Sequence, residues 1–395
     1  MSDVVVVGYA RTPVGRFGGG LASLTAMQLG GRAIAAALEK AGVAADEVGY
    51  VVMGHVLQAG QGQITARQAA VEGGIGMQVA AETINKVCLS GMTALSRARD
   101  LIRLGEFDLV VAGGMESMSQ APFLLDKARF GYRMGDGKVI DVMMHDGLTC
   151  AFDACAMGLA TDNFQESKGL GMTREDQDAW SARSHERAAE AWKSGAFDDE
   201  VVPIEVPQRK GDPVVVGQDE GVRPGTTTES LGRLRPAFTK QGTVTAGNAS
   251  QISDGAAALV LASRDKAEAL GLPVLATVDA WGTVAGPDTS LHLQPANAIR
   301  VAAARIGADP SGFDLYEINE AFASVALAST RDLGVSDEKV NVNGGGVALG
   351  HPIGCSGARI VVSLINELAR RGGGTGAAAL CGGGGQGDAL LVTVP

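Results

Sequence analysis

Short apolar runs alternate along this chain with longer segments whose apolar residues recur at helical spacing. The short runs predict buried strands, and the longer segments predict amphipathic helices. Because strands and helices alternate, we expect an α/β architecture with a largely parallel sheet. In the first part of the chain, the predicted elements are strands at 4–7, 51–53, 84–87 and 109–112, and helices at 25–41 and from about Ser90 onward.

The same order of elements returns after residue 270. Two similar α/β halves are the simplest account of this repetition, and the inference rests on element order, not on sequence identity between the halves. The elements predicted in this part are strands at 274–278, 315–318, 340–343, 377–380 and 389–394, and helices at 296–306, 321–333 and 356–370.

A segment of different character separates the two halves, with denser charge and many turn residues. We interpret it as an inserted loop domain at 119–247, between an N-terminal half at 1–118 and a C-terminal half at 271–395. The apolar run at 256–262 is expected to return to the first sheet, so that residues 248–270 complete the N-terminal half. An insert in this position can cover a ligand that lies across both halves.

Composition and charge narrow the classes of partner. Glycine supplies 56 of 395 residues, about twice its usual share, which indicates close approaches of the backbone. The formal net charge of −11 argues against a general binder of nucleic acid or of anionic membranes. No apolar stretch approaches the ~18 residues of a membrane span, and the first residues lack a transit-peptide pattern. We therefore expect small-molecule partners and a cytoplasmic location.

The five cysteines are odd in number and form no Cys-x-x-Cys motif, so neither a disulfide framework nor a metal site is predicted. Cys88 differs from the others because a helical pattern begins directly after it, at about Ser90. The positive end of a helix can lower a thiol pKa from ~8.5 to ~3.5–7.5, so we expect Cys88 to be an activated nucleophile. Burial as a small hydrophobic residue is the commoner role of a cysteine, and we assign it to Cys150, Cys155 and Cys355.

Three further polar groups stand where predicted strands end. Asn319 lies between a strand and a helix, His351 lies in a glycine-rich turn, and Cys381 precedes a run of glycines. Ligands of open α/β sheets bind outside the carboxyl ends of the strands, so we expect these residues to meet Cys88 in one cleft. Capping of the following helix is an alternative role for Asn319.

Taken in order, these motifs resemble the thiolase family, and within it the acetyl-CoA acetyltransferases. The match extends over essentially the whole chain, and the order and separation of the motifs make it specific. The resemblance implies a thiolase-like fold of two similar α/β halves, layered α-β-α-β-α, with an inserted loop domain. The motifs are Ala10-Arg11-Thr12-Pro13, the Cys88 segment at 85–92, Gly113-Gly114-Met115-Glu116-Ser117-Met118, Arg235-Pro236-Ala237-Phe238, Thr245-Ala246-Gly247-Asn248-Ala249-Ser250, Asn319-Glu320-Ala321-Phe322, the His351 turn at 344–354, and Cys381-Gly382-Gly383-Gly384-Gly385.

The resemblance also implies a reaction. Cys88 would accept an acyl group from acyl-CoA while His351 helps to take its proton. Cys381 would then remove a proton from the methyl carbon of a second acetyl-CoA, and the carbanion would attack the acyl-enzyme to give a 3-oxoacyl-CoA. In one oxyanion hole, His351 and a water held by Asn319 would donate to the enolate. In the other, the backbone N–H groups of Cys88 and Gly383 would donate to the tetrahedral intermediate.

Coenzyme A is expected as substrate and product, with no permanently bound cofactor. The resemblance places its binding in the inserted domain and implies a homo-oligomer, either a dimer or a tetramer. The residues implied for CoA are Arg223, Ser230, Leu234, Phe238, Ala246 and Ser250.

The chain departs from the family pattern at four places that leave its acyl-chain preference open. Leu89 follows the nucleophile where glycine is common, and Gln251 stands where glycine is frequent. Ala156 occupies a position where many short-chain members have histidine. His292 belongs to a stretch that replaces a Met-Gly-rich border of the acyl pocket, so that it is either a pocket residue or an exposed loop residue.

Alternative functions stay open on the sequence alone. Within the family, a degradative thiolase for longer 3-oxoacyl-CoA chains is the nearest alternative. Outside it, the alternatives are a non-catalytic protein that binds acyl-CoA or lipid, and a Cys-His hydrolase that only releases CoA. The direction of the reaction in the cell is also open, because the reaction is reversible.

Overall fold

The computed structural model describes residues 3–395. The strands of this part of the chain are β1 (Val4–Arg11), β2 (Gly15–Arg16), β3 (Tyr50–Gly54), β4 (Ala80–Ile84), β5 (Leu109–Ser117), β6 (Phe123–Leu124), β7 (Ile140–Asp141), β8 (Thr149–Cys150), β9 (Cys155–Ala156), β10 (Ile204–Val206), β11 (Val214–Val216), β12 (Ser253–Ser263), β13 (Ala276–Ala285), β14 (Leu315–Ile318), β15 (Gly374–Gly382) and β16 (Gln386–Val394). The α-helices are α1 (Ala26–Ala41), α2 (Thr65–Glu72), α3 (Ser90–Arg103), α4 (Met157–Ser167), α5 (Arg174–Ser194), α6 (Thr228–Gly232), α7 (Arg264–Leu270), α8 (Gln294–Ile306), α9 (Ala323–Leu333), α10 (Gly346–Leu349) and α11 (Ser356–Arg370).

One hydrogen-bonded sheet connects both halves, in the strand order β14-β15-β16-β13-β1-β12-β5-β3-β4. The prediction of a largely parallel sheet is wrong. Within the described residues, β3 pairs in parallel with β4 and β5, β14 pairs in parallel with β15, and the other pairs of this path are antiparallel. The reason is that β12 returns between β1 and β5, while β15 and β16 form a hairpin that needs no crossover helix.

The helices form three layers around the two halves of the sheet. Helices α1 and α2 cover the outer face of the N-terminal half, and α8 and α9 cover the outer face of the C-terminal half. Helices α3 and α11 pack against each other and against strands of both halves. The residues of α11 from Ser356 to Leu368 are all buried, as expected for a helix enclosed on all sides. The predicted α-β-α-β-α layering of two similar halves is confirmed.

Most element predictions are confirmed, and two strands are corrected. The helix predicted at 356–370 coincides with α11, and α1 begins after the capping residue Thr25. The strand predicted at 84–87 ends at Ile84, because the chain turns before the nucleophile. The segment 340–343 is a turn instead of a strand: Asn341 has φ +49°, and its side chain bonds the backbone N–H and C=O of Ile318.

A buried ion cluster fastens the inserted segment to the first strand. The Arg11 guanidinium, fully buried, donates to Glu200 at 2.6 Å and to Asp219 at 2.7 Å. Removing one partner of such a buried cluster leaves an uncompensated charge, which typically costs about 3–5 kcal/mol. The cluster therefore fixes how the insert lies over the N-terminal half. The domain boundaries given above stay predictions.

No helix in residues 3–395 combines the length and the apolar character needed to cross a membrane.

Candidate active site

Cys88 lies on a strained turn between β4 and α3. Val87, directly before it, has φ +51°, a left-handed conformation that is rare for a β-branched residue. Two hydrogen bonds through Ser90 hold the turn: the Lys86 N–H donates to Ser90 Oγ at 2.9 Å, and that hydroxyl donates to the Val87 carbonyl at 2.6 Å. Strain of this kind persists only where the surroundings enforce it, and it is typical of functional sites.

The environment of the Cys88 thiol corrects one prediction. The residue keeps some accessible surface, but its sulfur lies among protein atoms, and this burial raises the pKa of the thiol to about 12. The Glu116 carboxylate raises the pKa further, whereas the backbone N–H groups of Cys88 and Gly383 lower it. An activated thiolate at the helix start was expected. That expectation is wrong for the protein without substrate, because desolvation outweighs the backbone dipoles.

Cys381 stands at the end of β15 beside Cys88 and is almost completely buried. It packs in an apolar cluster with Leu291, Ala321 and Val325. Burial and, second, the neighbouring Cys88 thiol raise the pKa of Cys381 well above its usual range. The structure thus brings the two predicted cysteines together, and both hold their protons at neutral pH.

His351 is buried and neutral. Its Nδ1 lies 2.6 Å from Ser356 Oγ, which itself donates to the Pro352 carbonyl at 3.0 Å. We assign the ring proton to Nδ1 on this network, because the serine has one proton to donate. Burial and, second, the Arg359 charge lower the pKa of His351 to about 3. The turn containing His351 also carries Ile353, which packs in the same apolar cluster as Cys88.

Asn319 faces His351, and its predicted alternative role is excluded. The side-chain amide nitrogen lies 3.4 Å and 3.5 Å from the two ring nitrogens of His351, while its amide oxygen is buried without a partner in the described protein. Helix α9 begins only at Ala323, and its cap residue, Phe322, makes no side-chain capping bond. Asn319 therefore does not cap this helix.

The glycine run after Cys381 forms a tight turn that close packing requires. Gly384 and Gly385 have φ +78° and +69°, a region that L side chains rarely adopt. A β-carbon at Gly385 would collide with the carbonyl of Asp288. A β-carbon at Gly382 would lie 2.5 Å from Leu89 Cγ, so Leu89, which is fully buried, occupies the space under this turn.

Glu116, which the sequence shows only as part of the motif at 113–118, holds two loops of the site together. Its buried carboxylate accepts the backbone N–H groups of Val56, Leu57 and Gly354 at 3.0–3.2 Å. It also lies 3.3 Å from Nε2 of His55. The carboxylate therefore clamps the turn of His351 onto the loop after β3. The only signal in the sequence was its place at the end of β5.

Two cavities flank the paired cysteines. The first has a volume of about 240 Å³ and is lined by His351 together with mostly apolar side chains, among them Met144 and Leu148. The second has a volume of about 450 Å³ and reaches Gly383. Met157 lines both cavities and packs against the cluster that contains Cys381. The first cavity therefore reaches His351, and the second reaches Val87 and Gly383, the neighbours of the two cysteines in space or sequence.

The six residues predicted for CoA lie at or near the surface of the segment 223–250. Arg223, Ser230 and Ala246 are exposed, and Leu234 and Phe238 are 39% and 41% exposed. Phe238 and Ser250 line the first cavity with His351, whereas the other four do not. The six residues are Arg223, Ser230, Leu234, Phe238, Ala246 and Ser250.

Three of the residues that depart from the expected pattern line cavities of the structure. Ala156 lines the first cavity, and so does Gln251. His292 is buried and lines a separate space of about 90 Å³, so it is not an exposed loop residue. Among the described residues, no group of three or more His, Cys, Asp and Glu side chains is placed to hold a metal ion.

Fold and cleft together define a class: α/β proteins of two similar halves that bring two cysteines, a histidine and an asparagine together at strand ends. Comparison with known proteins points to one family. The family model for the thiolase N-terminal domain matches residues 4–265, and the model for the thiolase C-terminal domain matches residues 272–394. The chain belongs to the thiolase family.

The relatives are similar over their full length. A probable acetyl-CoA acetyltransferase of Mycolicibacterium smegmatis is 57% identical, over 98% of this chain and 100% of the relative. The acetyl-CoA acetyltransferase of Cupriavidus necator is 49% identical, over 99% of each chain. The crystal structure of the Bacillus anthracis acetyl-CoA acetyltransferase superposes with a TM-score of 0.97 at 42% identity, covering 100% of this chain and 99% of that one. The predicted family and fold are confirmed.

Proposed function

We propose that this protein is an acetyl-CoA acetyltransferase that condenses two acetyl-CoA molecules into acetoacetyl-CoA and CoA, and that cleaves acetoacetyl-CoA with CoA in reverse. The observation that carries the proposal is the Cys88 thiol, beside both Cys381 and the backbone N–H of Gly383. One thiol can hold an acyl group there while the other serves the second substrate.

In the first step, Cys88 attacks the thioester carbonyl of acetyl-CoA and its proton passes to His351. With a thiol pKa of about 12 and a histidine pKa of about 3, this transfer is uphill in the empty cleft. It becomes feasible when negative charge moves onto the carbonyl oxygen, where the N–H groups of Cys88 and Gly383 would donate. Collapse of the intermediate forms the acetyl-Cys88 thioester and breaks the C–S bond to CoA, whose thiolate takes the proton of Cys381.

In the second step, the Cys381 thiolate removes a proton from the methyl group of a second acetyl-CoA. His351, now protonated, and a water held by Asn319 would donate to the enolate oxygen. The carbanion attacks acetyl-Cys88, a C–C bond forms, and the C–S bond to Cys88 breaks. Cys88 then recovers its proton from His351, and Cys381 has recovered its own from the substrate, so the enzyme returns to its starting state.

For the CoA moiety, we propose the surface strip of the inserted segment. Arg223 would lie near the adenine, with Ser230, Leu234 and Phe238 along the nucleotide and pantetheine. Ala246 and Ser250, in the same strip, would lie nearer the thioester end of CoA. The half-exposed side chains of Leu234 and Phe238 support its use as a binding surface, since exposed apolar patches often mark ligand-binding grooves. We also propose a cytoplasmic homo-oligomer.

The test is acyl transfer with identified products. Incubation with radiolabelled acetyl-CoA followed by a denaturing gel and peptide mapping should place the label on Cys88, and acetoacetyl-CoA should accumulate. Free acetate as the main product would instead identify a hydrolase. Absence of label in folded protein would identify a non-catalytic binding protein.

Chain length separates the proposed activity from thiolysis of longer chains. The first cavity, of about 240 Å³, supports a short acyl group. A kcat/KM series over 3-oxoacyl-CoA substrates of increasing length should be highest for acetoacetyl-CoA. An optimum at long chains would overturn this assignment and leave the family membership untouched.

A further inference from the structure

Gln251 connects two parts of the structure whose relative position matters for the proposed reaction. Its side-chain amide nitrogen donates to the carbonyls of Gly221, Val347 and Ala348, at 3.0, 3.1 and 3.3 Å. Gly221 belongs to the inserted segment, whereas the other two acceptors lie in the turn of His351, a few residues before the histidine. One side chain therefore bridges the insert and the catalytic turn.

The backbone of Gln251 reaches the catalytic histidine directly. The N–H of His351 donates to the Gln251 carbonyl at 3.1 Å, and the Ser253 hydroxyl donates to the same carbonyl at 2.7 Å. The side-chain oxygen of Gln251 accepts from Arg223 Nη2 at 3.4 Å. Gln251 thus contacts both the proposed nucleotide-binding residue and the main chain of the catalytic histidine.

The neighbouring geometry shows that this bridge is tight. A β-carbon at Gly221 would lie 2.6 Å from the Ala348 carbonyl and 2.8 Å from the Gln251 amide, so the two loops touch backbone to backbone. On the other side, the N–H of Arg223 donates to Nδ1 of His185 at 3.1 Å. Burial and, second, the Arg223 charge lower the pKa of His185 to about 4, which keeps this acceptor unprotonated at neutral pH.

We infer that Gln251 is a positioning residue that couples the nucleotide-binding loop around Arg223 to the main chain of His351, so that CoA held by the insert presents its thioester at the catalytic histidine. The inference rests on the proposed function. A glycine at this position would offer no side chain to make the bridge. The coupling would therefore be a property of chains that carry glutamine here.

The test compares a full substrate with one that lacks the nucleotide. In Gln251→Met, which keeps the length of the side chain and loses its hydrogen bonds, KM for acetoacetyl-CoA should rise about five- to ten-fold, the change expected for one or two hydrogen bonds of this kind. KM for acetoacetyl-pantetheine, which has no nucleotide, should stay within about two-fold of the wild-type value. A rise of equal size for both substrates would overturn the coupling.

Further variants test whether the rise in KM comes from the proposed coupling. Gly221→Ala separates the same loops without replacing Gln251, so it should reproduce the selective rise in KM. Gln208 is the matched control, because its side chain is exposed and bonds only Val206 in the described structure. Gln208→Ala should therefore leave KM for both substrates unchanged. In the double variant Arg223→Ala/Gln251→Met, KM should rise no further than in Arg223→Ala alone. Multiplicative effects would contradict a shared path.

Different results would contradict the proposed function and the role of Gln251. A wild-type protein that forms no acetoacetyl-CoA would end the proposed function itself. A wild-type protein that condenses acetyl-CoA normally, with Gln251→Met indistinguishable from it on acetoacetyl-CoA, would overturn only the role of Gln251.

Discussion

The two cysteine segments of the cleft present the same functional group in opposite ways. Cys88 sits after a strained residue, on a turn between a strand and a helix, and keeps some contact with the solvent side. Cys381 ends an extended strand, is 1% exposed, and is followed by glycines that take the unusual dihedral angles themselves. In the first segment the residue with the unusual backbone conformation directly precedes the cysteine. In the second segment the residues with unusual backbone conformations follow the cysteine and are glycines.

The difference fits two different tasks. A nucleophile must reach a thioester and then carry a bulky acyl group, which requires space and a turn that projects the side chain. A carbon base must be shielded from water, because only a thiol with a high pKa forms a thiolate basic enough for a weakly acidic carbon. The two raised thiol pKa values suit both tasks only if each proton has a defined destination, which the proposed sequence of transfers supplies.

The segments are also interlocked, because the fully buried Leu89 fills the space beneath Gly382. The nucleophile turn and the glycine turn therefore cannot move independently. This contact gives Leu89 a structural role, and it makes the comparison of the two segments testable by mutation.

The largest expected effect comes from removing the nucleophile. Cys88→Ala should lower kcat for condensation by about 10⁴-fold or more, since no other group on this path can carry the acyl intermediate. Steady-state rates and acetyl labelling should both fall to background. Thermal unfolding should change little in comparison, and a variant that still accumulates protein-bound acetate at another cysteine would break the assignment.

Removing the base should separate the two halves of the reaction. Cys381→Ala should still acquire label from acetyl-CoA, because the nucleophile and the Gly383 N–H remain. Condensation should fall by about 10²–10⁴-fold, the usual range for loss of a general acid or base. Burst-phase labelling and acetoacetyl-CoA formation measure the two steps separately. Normal condensation by this variant would show that another group takes the methyl proton.

The interlock predicts a smaller effect with a specific rescue. Gly382→Ala should lower kcat by about 10²-fold, because the new methyl group meets Leu89 and displaces the Gly383 donor. In Leu89→Ala/Gly382→Ala the clash is relieved, and kcat should recover at least about ten-fold. Leu89→Ala alone should cost about 2–5 kcal/mol of stability in a denaturant titration.

A matched control distinguishes this clash from a general effect of replacing glycine. Gly217 has no neighbour within 4 Å of a β-carbon and no positive φ, so Gly217→Ala should leave kcat unchanged. If the double variant is no more active than Gly382→Ala, the loss arises from the glycine turn itself and not from Leu89.

Sequence reasoning located the chemistry better than its electrostatics. The start of α3 at Ser90, the pairing of Cys88 with Cys381 and the pairing of Asn319 with His351 agree with local patterns and motif order. The pKa of Cys88 did not, because burial depends on strands and helices distant in the sequence. The clamp of Glu116 was missed for the same reason: its partners are backbone groups near residues 56 and 354, which leave no mark in a side-chain pattern.

The smallest expected effect concerns how far each of the two thiols is deprotonated in the protein without substrate, which compares the two cysteines directly. With a pKa of about 12, the thiolate fraction of Cys88 grows about ten-fold for each pH unit from 7 to 9, so its alkylation by iodoacetamide should accelerate by about that factor without a plateau. Cys381 should remain unlabelled in the folded protein. Peptide mass spectrometry resolves Cys88 from the partly exposed Cys155, and unfolded protein provides the rate for unprotected thiols. A plateau below pH 8 would mean that the helix start activates Cys88 after all, and that desolvation does not control the nucleophile.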